Sequence, residues 1–396
     1  MKEKLGKYYN VISGYAFKSS DLKDSADIPI IKISNISNGR NVIFENMQYV
    51  DHEFLTIDEK YHIKNGDILI SLTGSHINQP NSMVGRVCRN YDKQTYLLNQ
   101  RAGKIFAKEN ASTDYIFYAL LTKAMKESIV SRAYGAANQV NVSPSAIMSI
   151  KWDFPTLPTQ QKIASILSSY DRLIENNTRR IRLLEQMAEN LYKEWFVRFR
   201  FPEHENVEMV NGLPKGWKIN SLKEICEFKR GRNITSTEMC DGIIQVISAG
   251  VAPSGYHNKA NVHGVSVTMS SSGANAGYIS IHYDDIWAAD CSYISEKETE
   301  DIYYVYELLN NIRQVINNFQ IGAAQPHVYP KDINRIKTCV PPKELRIKAN
   351  TNLSKIHKEI HKLYKQTQLL TRQRDLLLPR LMSGKLEVNL NQPIVL

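Results

Sequence analysis

Apolar positions recur along this chain with two different periods. One run reads Ile163, Leu167, Tyr170, Ile174, Asn177, Ile181, Leu184, Ala188, Leu191, Trp195, in steps alternating four and three. That spacing predicts a long helix whose seam packs on another helix. A second run reads Leu353, Ile356, Ile360, Leu363, Thr367, Leu370, Arg374, Leu377, Leu381, each 186 positions after its counterpart. Asn177 and Arg374 are poor seam residues: either they are exposed or frayed, or they fix register at a cost in stability. Each run follows a prolyl boundary, "PTLPT" and "PPKEL". Thr159 is the expected N-cap of the first helix. Pro379 is expected to kink or end the second, with Gly384 in the closing loop.

Elsewhere the period is two. Residues 28–36, 66–74, 242–250 and 265–273 ("IPIIKISNI", "GDILISLTG", "GIIQVISAG", "VSVTMSSSG") read as short strands ending in Gly/Ser/Asn turns. A helix is expected over 115–130 and another over 304–319. The fold class is α+β: two similar β-rich domains separated by two long helices that form an antiparallel coiled coil. The expected boundaries are 1–157, 158–201, 202–340 and 341–396.

The two halves repeat each other in order. Leu5 and Gly14 match Leu222 and Gly231; Tyr118 and Leu121 match Tyr306 and Leu309. "GAANQVNVSP" at 135–144 matches "GAAQPHVYP" at 322–330. The ordered series implies an internal duplication and hence approximate twofold symmetry. The first helix, about 37 residues, would be about 55 Å long.

Composition narrows the class. Hydrophobic content of 42% with 23% charged residues is that of a globular protein. No apolar run is long enough to span a bilayer, the N-terminus has no secretory h-region, and a cytoplasmic location is expected. The five cysteines are scattered, without a CxxC pair or Cys/His cluster, and read as free thiols. The net charge is +10. Residues 343–385 hold eleven Lys/Arg against three Asp/Glu, either a solvated helix face or a surface for phosphate or an acidic partner.

Catalytic signatures are missing. The chain has no GxxxxGK[ST], HExxH or GxSxG motif. "GANAG" at 273–277 departs from GxGxxG, and "WDFP" at 152–155 reads as a strand entering the prolyl boundary. His357 and His361, at i and i+4, read as surface residues rather than metal ligands. Asp284 and Asp285 lack the partners of a nuclease core. No catalytic and no metal site is expected.

Recognition remains. Polar side chains cluster in the loops after the strands. In the first half these are Lys18, Ser34, Asn35, Thr73, Gly74, Ser75, Arg86, Asn99, Gln100, Arg101 and Gln139. In the second they are Lys229, Arg230, Arg232, Ser271, Ser272, Asn275, Gln325 and His327. Arg and Lys suit guanine edges, Asn and Gln suit adenine, and hydroxyls or backbone N–H groups suit phosphate. As a set on two basic domains they favour double-stranded DNA, although each alone also fits an ordinary solvated loop. For Gln139 and Gln325 a scaffold role stays open.

With "SGYAFKSSDL" (13–22), "GDILISLTG", "PTQQKIASILSSYDRLIENNTRRIRLLEQMAENLYKEWF" (158–196), "LPKGW" (213–217) and "LLLPRLMSGKLEV" (376–388), the chain resembles the specificity subunits of type I restriction-modification systems. One departure is "PPKELRIKANTNL", where a glutamine-rich opening like Gln160–Gln161 is the commoner form. The resemblance implies a non-catalytic subunit whose two target recognition domains each read half of a split DNA sequence. The helices would set the unread spacer and dock two methyltransferase subunits, and two restriction/translocase subunits would join them. S-adenosylmethionine, ATP and Mg would belong to those partners, with no cofactor on this chain and no membrane contact. The alternatives are a standalone bivalent DNA-binding protein, or a fragment of a fused methyltransferase or nuclease.

Overall fold

A computed structural model describes residues 2–37, 39, 41–75, 83–136, 139–319 and 326–391. The chain forms two compact units, 1–174 with 369–396 and 175–368, so each takes part of both long helices.

In the first unit, strands Tyr9–Ser13, Ala102–Ala107, Ile68–Ser71 and Val87–Arg89 form one antiparallel sheet in that order. A second sheet is ordered Gln48–Val50, Ile28–Ile31, Tyr96–Leu98, His62–Ile63, with the middle pair parallel. A third joins Tyr134–Ala136, Gln139–Asn141 and Thr73–Gly74. The second unit repeats the plan. Lys229–Arg230, Cys291–Ser295, Ser266–Ser270 and Ile279–His282 form the antiparallel sheet. Gly255–His257, Ile244–Ile247 and Ile286–Ala288 form the mixed one, again with a parallel pair. Several of these strands end at Gly, Ser or Asn, as Tyr9–Ser13 does at Gly14 and Ser266–Ser270 at Ser271–Gly273.

The expected domain helices are each broken. Thr113–Leu121 gives way to Lys123–Val130 at Thr122. The Thr122 hydroxyl donates to Ala119 O and accepts from Met125 N, ending one helix and capping the next. The second unit breaks at Ile312, between Ile302–Asn311 and Arg313–Asn317.

The first long helix is Leu157–Tyr192, continued by a wider π turn at Lys193–Val197. It starts earlier than expected: Thr156 O accepts from Gln160 N, so Thr159 is not the cap. Pro158 stands in the first turn, where an N–H would have no helical partner. The second is Lys343–Met382; Pro379 lies inside it, three residues before its end, and Gly384 follows with φ +70. In the first unit Ile163, Ala164 and Leu167 share a core with Leu381, Met382 and the helix Thr113–Leu121, while Leu377 packs at its edge. Tyr170, Ile174 and Leu370 are half-buried there. In the second unit Ala188, Tyr192 and Trp195 share a core with Ala349 and Leu353, with Leu191 and Ile356 at its edge. Ile360 and Leu363 are buried, Ile181 and Leu184 half-buried. Within each unit the two helical segments run antiparallel, as the pairs Asp171–Arg374 and Arg180–Glu359 mark.

Two seam residues differ from the exposed or frayed reading. Asn177 is buried at 7% exposure. Arg374 is held by Asp171 at 3.1 Å and Asp375 at 2.8 Å. His357 is not a surface residue either, at 1% exposure. Burial keeps the Tyr283 hydroxyl protonated, its pKa raised well above the ordinary value. That hydroxyl is hydrogen-bonded to His357 Nδ1 (2.9 Å), and His357 Nε2 is hydrogen-bonded to Glu307 Oε1 (3.2 Å). The lower turn joins in: His361 stacks on Tyr283, and Lys365 pairs with Asp284 at 2.8 Å.

Candidate nucleic-acid interface

The polar loops stand on a backbone frame that occurs twice. Gly14 N donates to Ala102 O and Tyr15 N to Leu98 O (2.9 and 2.7 Å); Gly231 N donates to Cys291 O and Arg232 N to Ala288 O (2.8 and 2.9 Å). A methyl at Gly14 would lie 2.3 Å from Asn99 O, and one at Gly231 2.2 Å from Ala289 O, so this close approach requires glycine in both units. At the neighbouring strand end Val142 N donates to Leu72 O (2.9 Å), and Val328 N donates to Ser271 O (3.0 Å). Ser71 and Ser270 are buried below that end; their hydroxyls donate to Thr73 O (2.8 Å) and Ala249 O (2.7 Å). The repeated "GAAN/GAAQ" phrase stands in sequence just before the segment that closes this frame, the strand Gln139–Asn141 in the first unit and His327–Val328 in the second. Residues 137–138 and 320–325, Gln325 among them, lie outside the described residues.

In the first unit, Leu72 N donates to Arg101 O (3.0 Å), and Tyr15 bridges to Asn99. These bonds bring Gly14–Tyr15, Leu72–Gly74 and Asn99–Arg101 together. Gln100 and Arg101 are exposed, and Asn99 is half-buried with Oδ1 toward Arg101 N. Gln139 is exposed one step from Val140, which pairs with Gly74. Gly74 is packed against the backbone of Met83 and Val84, and Ser75 is the last described residue of its loop.

Two candidates are corrected here. Asn35 is buried: Nδ2 donates to Ile43 O and Glu45 O, and Oδ1 accepts from Lys32 N. Its amide holds the 41–47 loop and is not available to a base. Thr73 is buried with its hydroxyl bonded to Asn141 Oδ1 at 2.7 Å. Lys18 and Ser34 are exposed; Arg86 is half-buried, its carbonyl accepting from Ser71 N.

In the second unit, Lys229 is exposed and paired with Glu298 (2.9 Å), and that bond raises its pKa. Arg230 and Arg232 are exposed. Trp287 Nε1 donates to Arg232 O (2.9 Å), fixing that loop. Ser271 and Ser272 are corrected as well: both are buried rather than on a solvated loop, and the Ser272 hydroxyl is engaged, donating to Asp290 Oδ2 at 2.7 Å. Asn275 is exposed at the end of the turn Gly273–Asn275. His327 bridges Ser272 and stacks on Tyr329 at 5.9 Å, over which Lys331 lies at 5.6 Å. Asn141, Trp287, Asp290 and Tyr329 join the loops without any flag in the primary pattern. The duplication makes Asp290 the sequence equivalent of the Asn99–Arg101 loop, and that was the one available signal. Among the described residues no group of three or more His, Cys, Asp or Glu side chains could hold a metal ion. No helix there is long and apolar enough to cross a membrane.

One bonding frame built twice, under loops of differing polar chemistry, defines a protein with two recognition domains. The model of the type I restriction modification DNA specificity domain matches residues 2–186 and 214–377, so the chain belongs to that family and is a type I specificity subunit. It is 25% identical to the MjaIX specificity subunit of Methanocaldococcus jannaschii, over 95% of this chain and 91% of that one. It is 23% identical to the HindI specificity subunit of Haemophilus influenzae, over 83% and 88%. The crystal structure of a type I S subunit from M. genitalium shares the fold, with a TM-score of 0.64 at 19% identity over 96% of this chain and 95% of that one.

Proposed function

We propose that each recognition domain reads one half of a split double-stranded DNA sequence, while the long helices set the number of unread base pairs between the halves. The observation that carries this reading is the duplicated frame: its bonds are matched, and the side chains set on it differ. Matched frames present two loop sets in one manner, and different loops read different bases. The chain acts without catalysis of its own and binds no cofactor, in the cytoplasm. Two methyltransferase subunits using S-adenosylmethionine dock on the helices, and two restriction/translocase subunits add ATP and Mg chemistry. The relatives' names, as specificity subunits of type I restriction enzymes, support this assignment.

Exposed leucines support the docking part. Leu183 and Leu369 stand 186 positions apart, one in each unit, at 51% and 60% exposure, with Met187 and Leu376 exposed nearby. Apolar anchors at duplicated positions suit two copies of one partner. Mapping methylated adenines in cells that express the assembled complex tests the reading. The expected result is one split motif, and replacing 213–338 with the equivalent segment of a relative changes one half of it. A change in both halves refutes independent reading.

A further inference from the structure

The connection after the parallel strand differs most sharply between the two frames. In the first unit three residues, Asn99, Gln100 and Arg101, lie between the frame positions Leu98 and Ala102. In the second only Ala289 and Asp290 lie between Ala288 and Cys291. Where the first domain presents an amide and a cation, the second presents one carboxylate.

Asp290 is half-buried, and among the described residues its one hydrogen bond comes from the Ser272 hydroxyl, at 2.7 Å on Oδ2. No described Lys or Arg lies within ion-pair distance of it, although Arg232 is exposed on the adjoining loop, where its backbone N bonds Ala288 O. Ser272 is itself fixed, because its backbone bridges His327 and the next residue, Gly273, donates to Pro326 O. The carboxylate is therefore oriented, with one oxygen engaged and the other without a described donor.

A carboxylate beside DNA is repelled by phosphate and is favourable only where it accepts from a donor on a base edge. In the major groove those donors are amino groups, and Asp suits the N4 amino group of cytosine. Resting on the reading that this domain faces DNA, we propose that Asp290, oriented by Ser272, is a specificity-determining residue that accepts from a cytosine amino group in the second domain's half-site. The first domain has no counterpart, since Gln100 and Arg101 suit adenine and guanine.

The test uses the full-length chain assembled with its methyltransferase partner, as wild type, Asp290→Asn and Ser272→Ala. Duplex pools randomised across one half-site at a time are methylated and sequenced, and thermal melting is recorded for each protein. Asp290→Asn should lose about tenfold or more of its discrimination at one C·G pair of the second half-site, with the first half-site unchanged. Ser272→Ala should relax the same position by a smaller factor. The proposal is overturned if both variants keep the wild-type second half-site with discrimination within about twofold, or if a variant that melts like wild type alters both halves alike. Should Asp290→Asn fail to fold, Ser272→Ala decides alone. A wild-type complex that selects no split sequence defeats the underlying reading instead, and the two failures are thereby told apart.

Discussion

The two units solve one structural problem with different chemistry where a long helix meets its recognition domain. Gln160 and Arg346 occupy the same duplicated position. In the first unit Gln160 Oε1 accepts from Ser112 N (3.0 Å), and Nε2 donates to Pro155 O (2.9 Å). A neutral amide thus ties the start of Thr113–Leu121 to the spacer helix. In the second unit Arg346 pairs with Asp301 at 2.5 Å, at the start of Ile302–Asn311, with both side chains nearly buried. The chemistry differs again about three turns on. Asp171 accepts from the Tyr118 hydroxyl (2.6 Å) and pairs with Arg374. Its counterpart His357 sits, buried, in the hydrogen-bonded chain Tyr283–His357–Glu307. Position is preserved, and each side chain is matched to a partner of its own unit. At the "PPKELR" boundary Asp301 thus gives Arg346 the partner that Ser112 gives Gln160 at the first.

Breaking the charged joint should have the largest effect. Arg346→Met leaves Asp301 buried without its cation, and should cost about 3–5 kcal/mol in the denaturant-induced unfolding of the second unit. Restoring the neutral form, with Asp301→Ser added to Arg346→Gln, should recover most of that loss. His357→Ala removes a partner from both Tyr283 and Glu307, and about 1–3 kcal/mol should be lost in the same measurement. In the first unit Gln160→Ala should cost about 1 kcal/mol, because an exchanged backbone bond is worth less than a buried charge; a loss equal to that of Arg346→Met would erase the contrast drawn here. Smallest in stability is the pair Leu183→Asp with Leu369→Asp. It should shift unfolding by no more than about 0.5 kcal/mol, yet abolish co-purification of the methyltransferase. Retained co-purification would move docking off these leucines.

The duplication, both long helices and most strands were legible because periodicity and turn residues are local signals. The breaks at Thr122 and Ile312 were less so, since the apolar pattern runs through both and a capping hydroxyl decides only the first. Among candidate contacts Gln100, Arg101 and Arg232 are exposed on loops, whereas Arg230 is exposed on the strand Lys229–Arg230. Asn35 and Thr73 have the same residue chemistry but are consumed inside the fold.

The sequence by itself determined that this chain is two copies of one plan carried on heptad helices, because residue order and period survive without any knowledge of contacts. Tertiary structure alone decided which polar groups are spent and which are presented. His357 meets Glu307, 50 residues away, and Tyr283, 74 residues away. Asp290 is oriented by a serine from another strand end. Burial and hydrogen bonding are properties of such distant pairings, and no local pattern encodes them.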